Sequence, residues 1–163
     1  MTEIGGQFDL YTNATADKLA ANGIRGEFVR ACGFLPSGTL IERLGETADA
    51  LFLPMSFLPQ DRATMEVCFP SKLTDYTAAG LPILIWGPEY SAAARWAAEN
   101  PGVALCVTDP DPTRLTAAVR QLASDPALRR NLATRAAEVG ERDFSFSTAL
   151  EVFRSGLLKG WKR

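Results

Sequence analysis

The sequence contains no histidine. Imidazole is the general base of serine triads and the commonest zinc ligand, so Ser-His-Asp hydrolases and most zinc enzymes drop out at once. The three cysteines, Cys32, Cys68 and Cys106, have no metal-ligand spacing, and no metal site is expected. An odd set in mainly apolar segments reads as small core or near-surface residues in a reducing, cytoplasmic setting. No apolar run approaches the length of a membrane span, and no signal-peptide pattern opens the chain. No Gly-x-Gly-x-x-Gly follows the first strand and no Walker A sequence is present, so nicotinamide, flavin and P-loop fingerprints are unsupported. Low-complexity segments, linkers and fixed-period repeats are also missing. A net charge of -2 leaves no footprint for nucleic acid. The short basic tail, Lys159 to Arg163, offers a peripheral contact to an anionic membrane surface, although a solvated terminus is the simpler reading.

What is present is an ordinary globular composition, 47% hydrophobic and 22% charged, over 163 residues, enough for one domain with a real core. Phe8 to Thr12, Phe28 to Cys32 with Arg30 outward, Ala48 to Pro54, Pro82 to Trp86 and Val103 to Val107 read as strands. Thr15 to Asn22, Thr39 to Gly45 and Pro88 to Asn100 read as helices between them. Asp111-Pro112 and Asp125-Pro126 each combine an N-cap with proline at the first helical position. Leu115, Ala118, Val119 and Leu122 form the buried stripe of the first of these helices, and Leu128, Leu132 and Ala136 that of the second. A final helix follows Phe144-Ser145-Phe146 and carries Leu150, Val152, Phe153 and Leu157. Met55 to Cys68 reads as a long loop with exposed-looking Phe57 and Leu58, either a binding loop or plain disorder. Alternating strands and helices imply right-handed parallel crossovers, hence an α/β, Rossmann-like parallel sheet flanked by helices. Ligands in such sheets bind at the carboxyl ends of the strands.

The stretch Phe69 to Trp86 organises the chain as loop, helix, tight turn and buried strand. Pro70 suits a first helical turn, Ser71 is the expected cap, and Leu73, Tyr76 and Thr77 share one face. Gly80 ends the helix and Pro82 opens the strand. Lys72 places a positive charge at the helix start, where an anion is welcome, and Asp75 offers a carboxylate to a diol one turn on. The competing reading is that both are solvated charges on an ordinary helix.

Pro70-Ser71-Lys72-Leu73-x-Asp75-Tyr76-x-Ala78-Ala79-Gly80-Leu81-Pro82-Ile83-Leu84 resembles the donor-binding segment of retaining GT-B glycosyltransferases of the glycogen-synthase-like, family-4 type. Gly33-Phe34-Leu35-Pro36, the run Ala48 to Pro54, Leu122-x-x-Asp125-Pro126-x-Leu128-Arg129 and Arg142-Asp143-Phe144-Ser145 are similar to other parts of that family's pattern, in the same order. The family usually has two glutamates eight positions apart. Asp75 falls at the second and Val67 at the first, with Glu66 next door.

The resemblance implies the C-terminal, nucleotide-sugar-binding half of a GT-B enzyme, residues 1–163 forming one donor domain cut from a longer protein. The base would rest near Gly33 and Phe34, the ribose on Asp75, the diphosphate near Ser71 and Lys72, and the donor sugar on Glu66 and the Met55–Cys68 segment. The substrate would be a nucleoside diphosphate sugar, with no cofactor. Catalytic side chains are not assigned beyond the Glu66 contact. The N-terminal acceptor domain and the first β-α unit of the donor domain, with its diphosphate-binding basic residues, have no counterpart in the sequence. By the family's strand order that strand would lie between those at Phe8 and Ala48. Either the Phe8 strand shifts inward or a second copy fills the space as a homodimer. The isolated chain is expected to be inactive. Two alternatives stay open: a nucleotide-sugar 2-epimerase, disfavoured by the missing histidine and the Pro-Ser-Lys-Leu pattern, and a degenerate, non-catalytic module for assembly, favoured by Val67 and the missing strand.

Overall fold

In the computed structural model, residues 5–160 are described. The side chains of the basic tail from Lys159 onward lie outside that description. The chain divides into two compact units, residues 5–42 and 43–160, with the boundary inside one helix. In the first unit, β1 (Phe8–Tyr11) pairs in parallel with β2 (Val29–Gly33), and α1 (Ala16–Ala21) lies between them in sequence. Thr15 caps α1 by accepting from the Lys18 N–H. Asp9 and Arg30 are register partners and form an ion pair, so Arg30 points outward as its charge demands. Helix α2 (Ser37–Thr47) spans the boundary.

The second unit holds a three-stranded parallel sheet in the order β3 (Leu51–Pro54), β4 (Ile83–Trp86), β5 (Leu105–Val107). Its helices are α3 (Arg62–Val67), α4 (Lys72–Ala78), α5 (Ala92–Glu99), α6 (Pro112–Ser124), α7 (Pro126–Phe144) and α8 (Phe146–Gly160). Parallel α/β architecture is therefore present, but the five strands form two sheets where a single sheet was expected. Local alternation of apolar runs identifies strands; it carries no information on which strands pair at long range.

Central strand β4 is apolar on both sides because both sides are covered. Ile83 and Ile85 pack with Leu53, Leu73, Trp96, Val103 and Val139, drawn from β3, α4, α5, the loop before β5, and α7. Leu84 packs on the other side with Ala118, Leu122 and Leu132 from α6 and α7. The Asp-Pro devices work as the sequence suggests: Asp111 accepts from the Thr113 N–H and Asp125 from the Leu128 N–H. Hydrogen bonds from Thr113 to the Asp111 carboxylate hold its pKa below the usual value.

Several boundaries move. Nine of the fourteen residues of the supposed Met55–Cys68 loop are helical: a 3-10 turn at Pro59–Asp61 leads into α3. Six residues are too few for hydrophobic periodicity to register. Phe57 is half-buried against the Trp86 ring, with centroids 5.5 Å apart, whereas Leu58 is exposed. The helix expected from Pro88 begins only at Ala92, where Ser91 caps it by accepting from the Ala94 N–H. The strand expected from Val103 is ordered from Leu105.

Helices α4 and α7 cross closely. A Cβ added to Gly140 would lie 2.5 Å from both Cβ and Oγ1 of Thr77. Thr77 can sit in so tight an apolar contact because its hydroxyl donates back to the Leu73 carbonyl at 2.8 Å. Gly140→Ala must push the helices apart and should cost about 1–3 kcal/mol in urea unfolding, the usual range for overpacking. A loss below about 0.5 kcal/mol, the size of an ordinary surface change, would show that the crossing is looser than this.

Candidate functional site

The crossover from β3 through α3 and α4 to β4 brings the start of α4 to the carboxyl end of the sheet, where parallel α/β domains bind ligands. The Met55 N–H extends the ladder to the Trp86 carbonyl at 2.8 Å. A Cβ on Gly87 would meet the Met55 Cβ at 2.4 Å, so only glycine lets the two strand ends approach. Beyond them the chain ties itself down. Ser56 Oγ bonds Asp61 Oδ2 at 2.6 Å, the Leu58 N–H donates to Ser56 Oγ at 3.2 Å, and Trp86 Nε1 donates to the Asp109 carbonyl at 2.9 Å.

Glu66 lies near the end of α3. Its Oε1 accepts from Arg62 Nε at 2.7 Å, and its backbone carbonyl accepts from Arg95 Nη2 at 2.6 Å. Neighbouring Val67 is 78% exposed, so the position where the family pattern expects an acid carries an unburied valine. The Arg62 guanidinium sits 4.5 Å from the centre of the Tyr90 ring.

Ser71 is not the cap that the sequence suggests. Its backbone is already helical and its side chain makes no capping bond. The chain enters α4 through a tighter turn, with the Leu73 N–H on the Pro70 carbonyl at 3.0 Å and the Thr74 N–H on the Ser71 carbonyl at 3.1 Å. Pro70 therefore stands ahead of the helix, in the turn that leads into it and not in its first helical turn as expected, whereas Gly80 closes the helix with a positive φ of 64°. Leu73 and Thr77 are buried while Lys72 is exposed and Asp75 half-buried. Tyr76 donates its hydroxyl to the Phe52 carbonyl at 3.2 Å. Burial, and then the charge of Asp75, push its pKa up and keep it a donor at neutral pH.

Ser71, Lys72, Asp75 and Glu66 all belong to the second unit: Glu66 on α3, Ser71 just ahead of α4, and Lys72 and Asp75 on α4. Gly33 and Phe34 belong to the first. Gly33 ends β2 with a φ of 76°, and Phe34 is 72% exposed. Arg62, Tyr90 and Arg95 were not singled out in the sequence. The Arg62–Glu66 spacing of an i, i+4 pair was available as a signal. Arg95 gave none, because its partners are backbone carbonyls.

A cavity of about 340 Å³ opens between α5 and β5, lined in part by Ala94, Ala98, Arg95 and Cys106. None of the cysteines is disulfide-bonded; Cys32 is half-buried and Cys68 and Cys106 are exposed, so of the core or near-surface positions expected none is in the core. Even so, the crowding around the Cys106 thiol pushes its pKa up to about 11. Only the thiolate attacks an alkylating agent. In the double variant Cys32→Ser, Cys68→Ser, iodoacetamide labelling of Cys106 should be slow at neutral pH and keep rising, roughly tenfold per unit, up to about pH 11. A plateau below pH 9 would contradict the crowding around this thiol.

Among the described residues no helix is long and apolar enough to cross a membrane, and no three or more acidic or cysteine side chains are grouped to hold a metal ion. Comparison with protein-family models and with curated proteins finds no match to this chain.

Proposed function

We propose that the chain is the nucleotide-sugar-binding domain of a glycosyltransferase, in which a nucleoside diphosphate sugar gives its glycosyl group to an acceptor. One observation carries the reading. The stretch whose residues resemble a donor-binding segment folds as a helix that buries Leu73 and Thr77 and leaves Lys72 and Asp75 outside the core. This outward face begins at the ligand-binding end of a parallel sheet.

Each residue has a role suited to its chemistry. Lys72, a mobile ammonium, balances diphosphate charge. The α4 dipole adds little, since the helix has seven residues. The Leu73 and Thr74 N–H groups are committed to turn carbonyls, which leaves those of Ser71 and Lys72 for a phosphate oxygen. The Asp75 carboxylate accepts from the ribose diol. Glu66 accepts from a hydroxyl of the donor sugar. Rate enhancement would come mainly from stabilising the departing diphosphate in a positive, dry cleft.

A second reading has its own support. A non-catalytic assembly module accounts for the exposed apolar side chains of α8, among them Phe146, Val152, Phe153 and Leu158. Calorimetric titration with UDP, GDP and ADP separates the two. On the donor-domain reading one nucleotide binds, and Asp75→Ala weakens it by about 1.5–3 kcal/mol, roughly 10- to 150-fold, the loss of a charge-assisted hydrogen bond. Binding that Asp75→Ala leaves intact removes the ribose assignment. No binding by any of the three favours the assembly module.

A further inference from the structure

Helix α3 has no anchor of its own. It is six residues long, and none of its side chains is buried. So short a helix does not persist in water without outside support. At its beginning the support is local: Ser56 Oγ meets Asp61 Oδ2 at 2.6 Å, and the Ser56 N–H reaches Met65 Sδ at 3.4 Å. At its end, besides the Phe69 ring that packs on Trp96 just beyond it, a hydrogen bond comes from a side chain of α5, 29 positions away in sequence.

That side chain is Arg95. One guanidinium nitrogen donates to the Tyr90 carbonyl, and the other terminal nitrogen donates to the Glu66 carbonyl at 2.6 Å. The Tyr90 ring carries the Arg62 guanidinium at 4.5 Å, and Arg62 Nε returns to the Glu66 carboxylate at 2.7 Å. Four residues therefore close a ring. Arg95 holds the backbone of Glu66 and Arg62 holds its carboxylate. Tyr90 gives one arginine a carbonyl and the other a ring face. The planar fork of arginine suits the two-carbonyl bridge, because it sets two donor nitrogens at a fixed spacing, whereas an ammonium must reach both carbonyls from one nitrogen.

We propose that Arg95 is a positioning residue: by pinning the end of α3 to α5, it fixes the place from which Glu66 presents its carboxylate to the donor sugar. This rests on the donor-domain reading for the ligand, but the pinning itself stands on geometry alone. Arg95 touches no nucleotide in this scheme and acts only through Glu66.

The test uses the full chain and its Arg95→Ala and Arg95→Lys variants, with two readouts. The first is amide exchange at Glu66, Val67 and Cys68. In Arg95→Ala these amides should exchange about tenfold faster, in keeping with the loss of bonds to a charged group, while β4 amides keep their protection. Arg95→Lys should fall between. The second readout is affinity for UDP, GDP and ADP set against UDP-glucose, GDP-mannose and ADP-glucose. Arg95→Ala should leave the nucleotide alone unaffected and abolish whatever extra affinity the sugar confers, with Arg95→Lys recovering part of it. Unchanged exchange in Arg95→Ala overturns the proposal. So does faster exchange in which sugar-bearing and sugar-free nucleotides lose affinity equally. If exchange rises as expected but the wild-type chain binds none of the six compounds, the pinning of α3 is upheld and the nucleotide-sugar reading falls.

Discussion

Strand β4 must be covered on both faces, and most of the second unit follows from that. Ile83, Leu84 and Ile85 have no polar side-chain atom to offer water, and each gains about 1.5–3 kcal/mol by full burial. Their alternation sends Ile83 and Ile85 to one side and Leu84 to the other, so the chain needs two layers of helices. Helix α7 serves both, with Leu132 in one cluster and Ala136 and Val139 in the other. A helix shared between layers has little freedom to shift. Its contact with α4 is accordingly the tight one, where Gly140 leaves no room between it and Thr77.

The same constraint explains an imperfect interior group. Trp96 is 8% exposed and its Nε1 has no protein partner. An unmet buried donor costs about 1–3 kcal/mol. Against this, the indole lies 6.0 Å from both the Phe69 and Phe144 rings, and each such pair contributes about 0.5–1.5 kcal/mol beyond area burial. With the burial of a large ring added, packing outweighs the orphaned donor. The aromatic group also ties Phe69, just ahead of α4, to α5 and α7, so the segment entering the candidate site is fixed from the core side.

Features that depend on neighbours in sequence were legible; those that depend on distant partners were not. The apolar run after Pro82, the positive φ of Gly80 and the Asp111 and Asp125 caps all appear where residue type placed them. Ser71 misled, because a good capping side chain does not oblige the backbone to leave the helical region. Here the turn at Pro70 and Ser71 had already satisfied the Leu73 and Thr74 N–H groups, the ones a capping side chain at Ser71 would serve. Helix α3 was invisible for a different reason. With six residues, none fully buried and only Met65 and Glu66 half-buried, it leaves no periodic trace, and part of its far support is a guanidinium bound to carbonyls that any residue type would present equally. The division into two sheets falls between the strands at Phe8 and Ala48, where the resemblance expects a further strand, and β1 does not shift inward to pair with β3.

Helix α4 shows how packing and chemistry share seven residues. Alone it would not hold together in water. Its inward positions, Leu73 and Thr77, are held by β4 and α7, and the order imposed there is inherited by Lys72 and Asp75 on the outward face. Tyr76 lies between the two roles, its ring packed against the core cluster and its hydroxyl fixed on Phe52 at the sheet. In so short a helix, backbone positions one residue apart move together. The backbone that carries the outward charges is therefore fixed by the core, and through it the contact between Gly140 and Thr77 bears on the candidate site, while the Lys72 side chain keeps its own freedom.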